Sequence, residues 1–172
     1  MSYAAAVITC SDRAFADVYE DRSGPIAVEL LTDAGFTVVS KVTVPDDPEQ
    51  IRLAIRAAVS DGARVVITTG GTGVNPKDVT VEATRELIAY EVPGLMEEIR
   101  RFGAEKQPLA LLSRGVAGVL IPDDAPRAFI LNAPGSRGGV RDTMTVAGPL
   151  LDHIVQQLDG ADHDMSRPPS AP

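Results

Sequence analysis

Four short apolar runs, at residues 4–9, 37–44, 64–68 and 128–131, are separated by stretches long enough to hold helices. This alternation constrains the fold more than any other feature of the sequence. The first run, Ala4-Ala5-Ala6-Val7-Ile8-Thr9, shows no polar alternation, as expected of a strand covered on both faces. Between the runs lie helical patterns. The one at 25–34 closes at Gly35, where a residue without Cβ can take the left-handed turn that stops a helix. Another opens at Asp47-Pro48-Glu49-Gln50: Asp47 can cap free amides, Pro48 suits the first position and Gln50 completes a capping box. Its apolar face is Ile51, Ala54, Ile55, Ala58 and Val59. Further helices are predicted at 81–90, 94–105 and 137–158, the last kinked or restarted at Gly148-Pro149, with one more strand at 116–121. Strands joined by helices of this length imply βαβ crossovers. The predicted class is therefore α/β, a three-layer sandwich with a mostly parallel central sheet.

A chain of 172 residues, 44% of them hydrophobic, suits one domain with a full core. That domain is expected over 1–159. The stretch 160–172, GADHDMSRPPSAP, has little apolar content and is predicted to be a disordered tail. Sixteen Lys and Arg against 24 Asp and Glu give a net charge of -8, which argues against a surface that coats nucleic acid or anionic lipid. The single cysteine, Cys10, cannot form an internal disulfide and reads as core filler, so a reducing, cytoplasmic setting is expected. No secretory leader or membrane-length apolar segment is apparent. His153 and His163 are too isolated to suggest a metal pair.

The run at 64–68 leads directly into TTGGTGVNPKD, residues 68–78. In open α/β sheets ligands sit beyond the carboxyl ends of the strands, and this stretch lies at such an end. Gly70, Gly71 and Gly73 permit positive φ and let amide N–H groups converge on an anion, while Thr69 and Thr72 add hydroxyls. The stretch is not a Walker loop: Asn75 stands five residues after Gly70, and Lys77 is followed by Asp78. Nor is it a dinucleotide fingerprint, because Pro76 occupies the place of the third glycine. Asp78 is the informative residue. A carboxylate beside a phosphate cradle is repulsive unless a cation lies between them, and Mg²⁺, which bridges carboxylates to substrate phosphates, is the natural mediator. The plainer reading is that Asp78 or Thr80 caps the following helix, with Glu82 favourable to its dipole.

The grammar recurs at Asn132-Ala133-Pro134-Gly135-Ser136-Arg137-Gly138-Gly139, a strand followed by a glycine turn and a helix start. Two such sites suggest a ligand with separated phosphates, although Gly138-Gly139 could simply join strand to helix. Ser113-Arg114 offers a hydroxyl and a guanidinium to an oxyanion, or a solvated surface pair. Asp46, in Pro45-Asp46-Asp47-Pro48, is free for ligand or metal, or is a turn residue.

In order, TTGGTG, DVTVEAT, PGL, LSR and NAPGS resemble the molybdopterin adenylyltransferase family of the MogA and MoaB type, related to the gephyrin G domain. The opening SDRAFADVYEDRSGP is similar too, and the resemblance runs from residue 4 to 158. It implies a molybdopterin-binding fold that joins the phosphate of molybdopterin to AMP from ATP with Mg²⁺, releasing pyrophosphate. Under the resemblance, Asp78 and Asp46 are the catalytic and metal-binding residues. Gly70, Gly71, Thr72 and Gly73 hold the pterin, with Pro134, Gly135, Ser136, Ser113, Arg114, Thr80 and Glu82 adding contacts. It also implies a homo-oligomer, trimer or hexamer, and a molybdenum insertion protein as a further partner. The alternative within the family is a paralogue that carries or senses molybdopterin without turnover. One departure stands in the opening loop, where Asp17 replaces an expected glycine.

Overall fold

The computed structural model describes residues 2–160; the predicted tail lies, apart from its first residue, outside them. Its elements in chain order are β1 (Ala4–Cys10), α1 (Asp12–Phe15), α2 (Gly24–Asp33), β2 (Thr37–Val44), α3 (Pro48–Ser60), β3 (Val65–Thr69), α4 (Thr80–Arg85), β4 (Tyr90–Glu91), α5 (Pro93–Ala104), a 3-10 turn (Pro108–Leu112), β5 (Ala117–Leu120), β6 (Ala128–Ala133) and α6 (Arg137–Leu158). The six strands form one sheet in the order β2-β1-β3-β6-β5-β4. β2, β1, β3 and β6 run parallel, and β5 is antiparallel to both of its neighbours. The α/β class with a mostly parallel sheet is as the sequence predicts.

The unbroken apolar runs arise because both faces of the sheet are covered. Along β1, Ala5 and Val7 enter one core with α2, α5 and α6, while Ala6, Ile8 and Cys10 enter the other with α3 and α4. Phe129 and Leu131 of β6 join the first core, and Ile130 the second. β2 departs from the prediction of a doubly covered strand. It lies at the sheet edge, where Val39 and Val42 are exposed.

Local signals locate several ends. Asp47 caps α3 by accepting the Gln50 N–H at 2.9 Å, but its own N–H bonds the Pro45 carbonyl, so only half of the predicted box forms. Gly35 takes φ +90° past the end of α2. α6 neither stops nor restarts at Pro149 and continues to Leu158. The predicted 81–90 helix ends at Arg85. Tyr90 and Glu91 instead pair with Val119 and Gly118 of β5, because cross-strand hydrogen bonding satisfies backbone groups that local helix propensity alone would leave in a helix. No helix among the described residues is long and apolar enough to cross a membrane.

Candidate functional site

Parallel pairing brings four strand ends to one edge of the sheet: Cys10 lies opposite Val44, Thr9 opposite Thr69, and Thr69 opposite Ala133. The order of strands reverses between β1 and β3, the connection from β1 leading out to β2 on one side and that from β3 toward β6 on the other, so a crevice opens there. The cleft has a volume of about 410 Å³. Among the predicted residues, Asp46, Asp78, Gly70, Gly71, Gly135 and Ser136 line it.

The glycines act in different ways. Gly70 and Gly71 have φ +92° and +65°, and a Cβ on either would collide with the Cys10 carbonyl at 2.4 Å or the Thr80 hydroxyl at 2.1 Å. Gly73, which the sequence reads as permitting positive φ, does not take it; a Cβ there would stand 2.7 Å from Asp78 Oδ2. Its absence makes room for the Asp78 carboxylate, whose Oδ2 accepts the Asn75 N–H at 3.0 Å. The second glycine turn packs on the first, since a Cβ on Gly135 would lie 3.1 Å from the Gly70 Cα. Ser136 caps α6 by accepting the Gly139 N–H at 3.0 Å. The Arg137 and Gly138 amides at the helix start remain for an anion.

Thr72, Gly73, Thr80, Glu82, Ser113, Arg114 and Pro134 do not line the cleft. Most of them form the structure behind it. The Arg114 guanidinium donates to the Gly73 carbonyl at 2.6 Å and the Asp78 carbonyl at 2.8 Å, and grips Glu82 through a short ion pair. That hydrogen bond, against the opposing effect of burial, holds the Glu82 carboxyl below its usual range. The Arg114 N–H also reaches the Thr72 carbonyl at 2.7 Å, and Ser113 Oγ donates to Thr72 Oγ1 at 3.3 Å. Arg114 therefore clamps the glycine loop, with its donors engaged by protein. Neither Asp78 nor Thr80 caps α4, whose cap position is Val79 with no side-chain bond. Thr80 Oγ1 is buried beside the Cys10 thiol and makes no conventional hydrogen bond. Burial above all, with Asp46 adding to it, pushes that thiol up to about 12, so Cys10 is inert filler. Asn132, read as part of the glycine turn, is a strand residue. It donates to Thr68 and Thr84 at 2.8 and 2.9 Å and accepts the Val116 N–H at 3.1 Å, tying three elements together.

Asp46 carries the electrostatic signature of the site. Burial first, then the Asp12 and Asp78 carboxylates, raise its carboxyl above the ordinary value, against the Asp12 N–H bond and Lys77. Asp46 and Asp12 exchange hydrogen bonds, with Asp46 Oδ2 accepting the Asp12 N–H at 2.9 Å and the reverse contact at 3.0 Å. Three carboxylates thus face one lysine, Lys77, which is 3.6 Å from Asp12. Among the described residues no three His, Cys, Asp or Glu side chains form a metal cage.

The opposite wall holds residues that no sequence motif singled out as ligand contacts, together with Thr69 and Arg137 of the two glycine turns. Thr9, Ser11, Tyr19, Asp21, Arg22, Ser23, Thr69 and Arg137 also line the cleft. Asp21 accepts from the Gly24 N–H at 2.9 Å and the Thr9 hydroxyl at 2.8 Å, and pairs with Lys41 at 3.1 Å. Burial alone would raise its carboxyl, but these partners outweigh it and hold it low. Ser23 Oγ and Thr69 Oγ1 share a buried hydrogen bond of 2.9 Å. The signal was present: an aspartate before Ser-Gly-Pro, just upstream of a helix, at the same sheet edge. Asp17 sits in this wall's loop at φ +55°, the left-handed conformation that glycine takes freely and Asp tolerates.

Residues 6–153 match the family described as a probable molybdopterin binding domain. The chain is 40% identical over 159 residues to a molybdenum cofactor biosynthesis bifunctional protein of Synechococcus elongatus, covering 92% of this chain and 48% of that protein. It is 33% identical to the molybdopterin adenylyltransferase of Pyrococcus furiosus, covering 87% and 88%. The chain spans about half the length of the bifunctional relatives it matches. The crystal structure of the molybdopterin biosynthesis enzyme MoaB of Thermus thermophilus superposes with a TM-score of 0.83 at 39% identity, covering 92% of this chain and 98% of the other.

Proposed function

The chain belongs to the family of probable molybdopterin binding domains, and on that premise we propose that it transfers an adenylyl group from ATP to the phosphate of molybdopterin. The observation that carries this reading is the crowding of Asp46 and Asp78 at the cleft, with Asp12 hydrogen-bonded to Asp46 beside it, while the rest of the lining supplies backbone amides and cations. Oxygen-only donors under mutual repulsion fit Mg²⁺, which binds through one or two carboxylates and completes its shell with phosphates and water. Asp46 and Asp78 would hold it, and bound there it would neutralise phosphate charge as pyrophosphate leaves.

The chain's own residues do the rest by positioning. A molybdopterin phosphate oxygen forms a bond to the α-phosphorus of ATP while the α–β bridging bond breaks, and pyrophosphate departs with the electron pair. The nucleophile is already anionic, so no side chain need remove a proton, and alignment with charge stabilisation supplies the acceleration. The Arg114 clamp keeps the amides of 71–78 and the Asp78 carboxylate in place. Association into trimers or hexamers belongs to the same proposal; Leu109, Leu111 and Leu112 are exposed apolar surface that such an assembly would cover.

The test is purified protein with molybdopterin and MgATP, followed for adenylylated pterin and pyrophosphate. Asp78→Asn should lower turnover by at least about 100-fold while pterin binding survives. Wild-type turnover by that variant removes Asp78 from the mechanism. Tight pterin binding by the unaltered protein with no ATP-dependent product makes it a carrier or sensor.

A further inference from the structure

The cleft is electrically divided between the two faces of the sheet. Asp46 and Asp78 enter it from the segments leading into α3 and α4, the helices on one face. Arg22 and Arg137, the cations among its lining residues, enter from the starts of α2 and α6 on the other face. The remaining lining carboxylate, Asp21, is already matched by Lys41.

Arg22 is restrained on the protein by contacts that leave its charge weakly matched. Asp21 beside it is pinned to the Gly24 N–H and the Thr9 hydroxyl, which fixes the backbone from which Arg22 projects. Its guanidinium lies 5.6 Å from the centre of the Tyr19 ring, which Arg13 approaches at 5.2 Å. Such cation–π contacts restrict a long side chain at modest gain. Its carboxylate neighbour Glu20 is 3.6 Å away and 81% exposed, an ion pair that water screens. Arg137 opens the 22-residue α6, where the free amides of Arg137 and Gly138 favour an anion.

In phosphoryl-type transfer the attacking and leaving oxygens lie roughly in line across the reacting phosphorus. With the leaving diphosphate on the carboxylate side, the acceptor phosphate must approach from the opposite side. We infer that Arg22 and Arg137 bind the acceptor's phosphate directly, without a metal, and thereby fix the orientation of the two substrates across the cleft. This assignment rests on the adenylyl-transfer reading. Tyr19 is a positioning residue for Arg22.

The experiment pairs equilibrium binding of molybdopterin, measured without Mg²⁺ or ATP, with initial-rate kinetics for Arg22→Gln and Arg137→Gln. Both side chains are exposed, so circular dichroism and melting should match the unaltered protein. Each substitution should weaken molybdopterin binding about tenfold, as loss of a charge-assisted phosphate contact does. The KM for molybdopterin should rise while that for ATP stays within about twofold. Tyr19→Leu should move the same parameters in the same direction by less. Unchanged molybdopterin binding in both arginine variants, or a change confined to the KM for ATP, overturns the assignment while leaving adenylyl transfer intact. If the unaltered protein binds molybdopterin but makes no product, adenylyl transfer fails, and the binding measurements still decide whether these arginines hold a phosphate.

Discussion

Asp46 is a residue whose charge the fold opposes. Its burial and the neighbouring Asp12 and Asp78 raise its carboxyl above the ordinary 3.8. A carboxyl with a raised folded pKa favours the fold while protonated: that contribution is complete below the unfolded value and is lost as pH rises through the folded one. Near neutral pH the ionised group therefore costs stability. Asp46→Asn keeps an oxygen to accept the Asp12 N–H and removes the charge. It should raise stability at pH 7 by less than about 1 kcal/mol, the screening at a half-exposed site keeping the gain small. Thermal unfolding at neutral pH and near pH 4 checks the sign: the gain should shrink on acidification, and a variant less stable than the unaltered protein at pH 7 would contradict it. On the proposed mechanism the same variant should lose turnover, since the repulsion among these carboxylates is what would draw a cation to them. The sequence suggested Asp46 as ligand or turn residue. Its carboxylate neighbour Asp12, thirty-four positions away, became visible only across the sheet edge.

The β3-to-α4 connection shows what an element adds to its residues. Gly71 has φ +65° and no room for a Cβ against Thr80 Oγ1. Gly138, in the first turn of α6, has nothing within 4 Å of a built Cβ and no positive φ. Gly71→Ala should thus cost about 1–3 kcal/mol from backbone strain and collision, whereas Gly138→Ala should be neutral or slightly stabilising. Chemical denaturation of the two variants tests the contrast, and similar midpoints would show that the loop adapts without cost. The glycine-rich spelling of both segments was legible in the sequence, but the difference between them was not. It depends on Thr80 lying behind one loop and open space beside the other. Arg114 gives the same lesson. Ser-Arg-Gly offered a guanidinium for an anion, and packing instead set it against Gly73, Asp78 and Glu82 as the loop's clamp.

At the scale of the whole molecule, the cleft exists only because four parallel strands end together and helices of both layers point their connections at it. On the proposed function, binding of ATP with Mg²⁺ to the native state should stabilise it with the logarithm of ligand excess, by about 2.7 kcal/mol at a hundredfold excess over Kd, and so raise the melting temperature. Asp78→Asn should remove most of that shift in differential scanning fluorimetry; a shift of full size in the variant would place the nucleotide elsewhere. The sequence by itself determined the α/β class, the buried strands β1, β3 and β6, the capped start of α3 and the glycine turns. Those features are encoded by residues close together in the chain, through apolar periodicity, capping and turn chemistry. Tertiary structure alone decided that β2 lies at an edge, that residues 90–91 join a strand, that Arg114 clamps the loop, and that Arg22 and Arg137 face the carboxylates. Each of these depends on partners far apart in sequence, and no local pattern specifies a neighbour that only the closed sheet brings near.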